Sequence, residues 1–159
     1  MDNSQVPFVL AGMLLFAAAL LALALMFARR LVGWPRLEEM FPDQPDDQIV
    51  ARYTLQSLYV AKPSKSLPGP YIQGLVSLIA CKNGLRIAVW PVIAFFFKPI
   101  FIPWEAITPV TVTMKVTGLK GFGLQVGSDE PFTLTIIARV ARKISAVTNG
   151  RLEIPPELM

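Results

Sequence analysis

Residue types able to make or break bonds are few in this chain and far apart. It holds no histidine and one cysteine, Cys81, which excludes a Ser-His-Asp triad, a Cys-His pair and a histidine metal site. Cys81 stands just before Asn83-Gly84 in an apolar segment, the setting of a small core residue rather than an activated thiolate. Most carboxylates fall in the linker that holds Asp43, Asp46 and Asp47, at a turn (Asp129, Glu130) and near the end (Glu153, Glu157), so no acid/base pair is evident. The three aspartates lack the alternating ligands, central glycine and twelfth-position glutamate of a calcium loop, and they read as a solvated hinge. Gly118-Leu119-Lys120-Gly121-Phe122-Gly123 has neither the Walker pattern nor the third dinucleotide-fold glycine. It reads as a β-turn. No cofactor, metal or catalytic residue is expected, and the chain reads as a non-enzyme.

What is left is the chemistry of surfaces, in which apolar and basic side chains meet lipid or protein. Phe95, Phe96, Phe97 and Lys98 form one such group, and Trp34 with Arg36 forms another. Phenylalanines at the acyl boundary with a cation at headgroup level are an interfacial arrangement, and tryptophan and arginine beside an apolar span are natural interface anchors. The bland alternative for the three phenylalanines is the domain core. Lys115, Lys120, Arg139, Arg142 and Lys143 are a second basic set, read as a solvated face with anionic headgroups as the functional alternative. A net charge of +4 suits an anionic membrane surface and is too small and scattered to argue for nucleic acid.

The elements that hold these groups begin with an anchor. Hydrophobic residues make up 53% of the 159 residues and charged ones 16%, against about 25% charged in soluble proteins. Val6 to Ala28 runs 23 residues without a charge, a helix of about 34 Å against a hydrocarbon core of roughly 30 Å. A cleaved signal peptide would have a basic start and a shorter apolar stretch, whereas this one begins Met1-Asp2-Asn3-Ser4-Gln5. Arg29, Arg30 and Arg36 follow the run and only Asp2 is charged before it. The positive-inside rule then puts residues 1–5 outside and 29–159 in the cytoplasm, on a single-pass protein of the inner (plasma) membrane.

Residues 29–48 read as a juxtamembrane linker, with a short helical turn from Arg36 to Phe41 stopped by Pro42 and Pro45. Strand patterns follow at Ile49–Val60, Tyr71–Cys81, Leu85–Trp90, Phe101–Trp104, Val110–Thr117, Phe122–Val126 and Phe132–Ile137. Asn83-Gly84 is a strong hairpin signal, and residues 61–70, with three prolines and a glycine, are a loop. Val110 to Val116 alternates as a half-buried strand does. Ala138 to Val147 then changes period, with Val140, Ile144 and Val147 on one helical face and Arg139, Arg142 and Lys143 mostly on the other. Residues 49–148 are thus expected as one mainly-β domain of about seven antiparallel strands and a C-terminal helix, with a tail at 149–159.

That order is the order of a pleckstrin-homology-like or GRAM-like barrel closed by its terminal helix. Lys98-Pro99-Ile100-Phe101-Ile102-Pro103-Trp104-Glu105-Ala106-Ile107 resembles the "IPW..I" signature of small uncharacterised bacterial single-pass membrane proteins, and Gly33-Trp34 and Asn83-Gly84-Leu85-Arg86-Ile87 extend the likeness. The resemblance implies a bacterial protein with a pleckstrin-homology-like cytoplasmic domain and brings no catalytic residues.

Residues 87–104, IAVWPVIAFFFKPIFIPW, are the most apolar stretch outside the anchor. A second transmembrane helix there would have to accommodate Pro91, Pro99, Pro103 and Lys98, and would carry the basic C-terminal half outside. A strand to Trp90, a loop at 91–98 and a strand at 99–104 fit better, with Phe95–Phe97 at the loop tip. The expected function is a non-enzymatic membrane-anchored adaptor that meets lipid headgroups or a membrane-protein partner through Trp34, Arg36 and Phe95–Lys98. The alternative is an accessory structural subunit of a larger membrane protein complex.

Overall fold

The structure, a computed structural model, describes residues 6–62, 71–113, 120–128 and 131–158. The expected outside tail at 1–5, most of the 61–70 loop, Lys115 and the end of the strand at 114–117, the Gly118-Leu119 turn, the side chain of Lys120, and Asp129-Glu130 lie outside the described residues. Within them the expected order is present: an apolar N-terminal helix, seven antiparallel strands and a C-terminal helix.

Helix α1, Val6–Val32, has 27 residues, and within Pro7–Val32 an 18-residue stretch has a mean hydropathy of 2.7 and no buried residue. It is long and apolar enough to cross a membrane. The helix runs one turn past Ala28, through Arg29 and Arg30, and stops at Gly33. There φ is +77°, a backbone state in which only glycine escapes a Cβ clash. Helix α2, Trp34–Met40, starts at once with Pro35 in its first turn.

The seven strands are β1 Ile49–Ala61, β2 Tyr71–Cys81, β3 Gly84–Val89, β4 Ile100–Pro103, β5 Ile107–Thr113, β6 Lys120–Val126 and β7 Phe132–Ile137. They form one sheet in the order β4-β3-β2-β1-β7-β6-β5. A single strand serves both halves: β1 pairs with β2 along its length and with β7 over Tyr59–Ala61. Residues 87–104 do not form a second membrane helix. Leu85 and Ile87 pair with Ile102 and Ile100 instead, and the prolines fall at the loop and at the strand end.

Inward-facing side chains of all but β5, among them Leu58, Val76, Leu78, Ile87, Ile100, Ile102, Phe122, Leu124 and Leu134, make the core. Burial of each such side chain is worth about 1.5–3 kcal/mol. Helix α3, Ala138–Val147, lays Ala141 and Ile144 against that core, while Val147 is exposed. The buried stripe is therefore centred one residue away from the expected Val140-Ile144-Val147 face, because Thr148 occupies the last buried position and satisfies its hydroxyl on the Ile144 carbonyl at 2.8 Å.

Residues 33–48 are not a solvated linker. Val32, Trp34 and Leu37 are part of the core, so α2 closes one end of the domain. The segment after it is tied across β2–β4. Phe101 N–H donates to the Phe41 carbonyl at 3.2 Å, and Pro42 bridges to Ile100. Arg86 donates twice to Asp43 at 2.6 and 2.7 Å, and Asp47 accepts from the Asn83 N–H and side-chain amide at 2.9 Å. This strap covers the free edge of β4, which would otherwise offer unpaired backbone groups. Under it Ile79, Cys81 and Phe101 form a small second cluster.

Candidate membrane-contact surface

Trp90 closes the β3 side of the apolar loop, and Pro91 to Phe97 form helical turns, with Ala94 and Phe96 N–H groups donating to the Trp90 and Ile93 carbonyls at 3.0 Å. Local turns satisfy the backbone, which frees the side chains to point outward. The three phenylalanines separate. Phe95 is 89% exposed, Phe96 is half-buried and meets Phe95 edge-on at 5.4 Å, and Phe97 is only 4% exposed. Phe97 is thus a core residue. Val92 is the other bare apolar side chain of the loop, at 68% exposed.

Trp34 also moves inward. It is fully buried, packs edge-on against Phe97 at 5.7 Å and donates its indole N–H to the Lys98 carbonyl at 2.9 Å. It holds the root of the loop and does not face a bilayer as an interface anchor. A large side chain with one polar atom is enclosed here because that atom finds its acceptor. Arg36 lies on the exposed face of α2, and the Lys98 side chain is exposed.

Glu38, which connects loop to helix, was not singled out from the sequence. Glu38 of α2 accepts the Lys98 N–H at 2.9 Å and pairs with Arg29 at the end of the apolar run of α1. Its side chain is 12% exposed, where an ionic pair with further hydrogen bonds is what offsets desolvation. The reversal at Gly33 brings Glu38 back to Arg29 over nine residues, a spacing that matches no helical i,i+4 rule and carries no local signal. On the other side the Lys62 ammonium donates to the Arg30 carbonyl at 3.2 Å. Leu25 of α1 and Ile93 and Phe96 of the loop are half-buried against the same core. The end of the loop at Lys98 is therefore tied, through Glu38, to Arg29 at the end of the apolar run of α1.

Arg139, Arg142 and Lys143 lie exposed on α3, at the other end of the domain. The segment after α3 donates from Arg151 to the Lys82 carbonyl at 2.7 Å, beside the Gly84 end of β3, whereas Trp34 binds Lys98 beyond the opposite end. These cations are separated from the loop and do not join Lys98. Cys81 is buried, its thiol directed to the Ile79 carbonyl at 3.7 Å, and burial first and the Asp47 carboxylate second push its pKa up. A shallow hollow between α3 and residues 150–154 is open to solvent. No group of three or more potential metal ligands occurs among the described residues. The chain matches no protein-family model and no curated protein.

Proposed function

We propose that this chain is a membrane-anchored adaptor whose pleckstrin-homology-like domain rests against the inner face of a bacterial plasma membrane through the loop Pro91–Phe97. One observation carries the reading: Val92 and Phe95 are bare at the tip of a loop whose root is clasped, through Lys98 and Glu38, to the arginine that ends the apolar run of α1. If α1 spans the bilayer with Arg29 and Arg30 at the cytoplasmic headgroups, the loop is held where its apolar tip meets the acyl boundary. The seven-strand order and the terminal helix α3 support the pleckstrin-homology-like assignment. The basic end at α3 then points to the cytoplasm, free for a protein partner.

The test is co-sedimentation of a fragment starting at Arg29 with anionic vesicles, comparing the wild type with Val92→Ser/Phe95→Ser. Losing two apolar side chains from the boundary should cost about 3 kcal/mol, roughly a hundredfold in partitioning. A folded wild-type fragment that ignores vesicles would end the lipid reading. Stoichiometric co-purification of one partner from mild detergent would then favour the accessory-subunit alternative.

A further inference from the structure

Leu55 sits within β1 at φ +55°, a left-handed state that side-chain-bearing residues rarely adopt. Gly74, nearby on β2, has φ +65°, and the β1–β2 register slips on both sides of Gln56. This double bulge has a visible result. Leu55 is 69% exposed, while Leu58, Val76 and Leu78 around it are buried. Strain held at one place in a strand is kept where the arrangement it produces is used.

The register shows what it produces. Gln56 pairs with Val76, and Val76 with Val89. Val76 and Val89 point into the core, so Leu75, just before Val76, and Trp90, just after β3, point to the outer face. Leu55, Leu75 and Trp90 therefore share that face within one residue of a single row. Trp90 N–H donates to the Leu75 carbonyl at 2.7 Å, joining this row to the first residue before the loop. All three side chains are exposed, Trp90 by 49%, and the bare Val92 and Phe95 follow Trp90 in the loop that begins at Pro91.

We infer that Leu55, Leu75 and Trp90 are a second membrane contact, which with Val92 and Phe95 forms one apolar rim that beds into the acyl boundary and sets the tilt of the domain. The occupant is lipid because Trp90 joins the rim to a loop whose root is clasped, through Lys98 and Glu38, to Arg29 at the end of the apolar run of α1. The inference rests on the lipid reading of that loop. Two separated points of contact fix an orientation that a loop alone would leave free to rock.

The experiment uses the full chain with Cys81→Ala, in nanodiscs of phosphatidylcholine and phosphatidylglycerol. A fluorescent label is placed in turn at Leu55→Cys, Leu75→Cys, Trp90→Cys, Phe95→Cys and, as the membrane-distal reference, Arg142→Cys. The rim predicts blue-shifted emission, quenching by doxyl-labelled lipid and protection from iodide at the first four sites, with the reverse at Arg142→Cys. Quenching at Phe95→Cys alone, with labels at 55 and 75 behaving as at 142, overturns the rim and leaves the loop contact standing. No lipid quenching at any site overturns both. Labels at 55 and 75 that are shielded from iodide yet not reached by lipid quencher show a protein surface there and overturn the lipid occupant. Brominated lipid applied to the chain with its own tryptophans repeats the test without a label, because Trp34 and Trp104 are buried. The quenched component should vanish in Trp90→Phe, and its persistence there counts against the rim.

Discussion

Trp34 and Phe95 are both aromatic and both tied to the end of the apolar helix, yet one is enclosed and the other bare. The difference is in their partners: the Trp34 indole finds the Lys98 carbonyl and the edge of Phe97, while Phe95 meets Phe96 edge-on and is otherwise bare by 89%. Trp34→Ala should lower unfolding stability by about 3–5 kcal/mol through the cavity it leaves. Phe95→Ser should stay within about 0.5 kcal/mol. Chemical denaturation of the detergent-solubilised chain checks both, and equal losses would contradict the split. Cys81 offers a pH readout. Its folded pKa is raised above the unfolded value, chiefly by burial, so the folded state holds the thiol proton more tightly. That contribution is fully present below the unfolded value of about 8.5 and is lost as pH rises through the folded one. Alkylation of the native protein should therefore have a pH midpoint above that of the denatured chain. A midpoint below it would mark an activated thiolate.

Between elements, Glu38 does what neither α1, α2 nor the loop can do alone. It joins Arg29 of the first to the backbone of Lys98 in the third, across a bend that needs glycine at 33. A Cβ there would lie 2.6 Å from Lys62 Cε and 3.0 Å from Phe132. Removing the carboxylate leaves the Lys98 amide without its acceptor and Arg29 without its counter-charge. Glu38→Ala should speed hydrogen exchange at the Lys98 amide while amides in the β6–β7 ladder keep their rates. Unchanged exchange at Lys98 would mean that the loop is held by Trp34 alone. The strap at 41–48 works on the same principle along β4. The Asp43 carboxylate raises the pKa of Arg86, so the guanidinium keeps its charge through any working range.

For the whole molecule, the consequence is that helix and domain share one core. A fragment beginning at Arg36 discards Val32 and Trp34, both buried. That removes about 5 kcal/mol of burial from a fold whose entire stability is of order 5–15 kcal/mol. A fragment beginning at Arg29 keeps them. The longer fragment should melt cooperatively by circular dichroism and the shorter one should not. Two equal melts would show that α2 is dispensable and that the anchor is a tether. A domain coupled to its anchor in this way presents one fixed side to whatever surrounds α1.

Elements were legible from the chain because their signals are local. Alternation, turn residues and the Asn83-Gly84 dipeptide placed β2, β7 and α3 at their observed limits and the other strands within a few residues. An uncharged stretch of 23 residues implies a span from length alone. The absence of histidine settled the chemistry it excludes, since composition does not depend on fold. Burial at the candidate site was not legible, because it depends on partners distant in sequence. Phe97 and Phe95 differ by two positions in the same run, and only the approach of Trp34, 63 residues before Phe97, decides which one is inside. Asp43 and Asp47 looked like solvated linker charges until Arg86 and Asn83 were brought to them by the β2–β3 hairpin. Leu55 looked like one more apolar strand position, and a slip in register turned it out. Local chemistry chose the elements, and the sum of distant contacts chose which of their residues face water, lipid or each other.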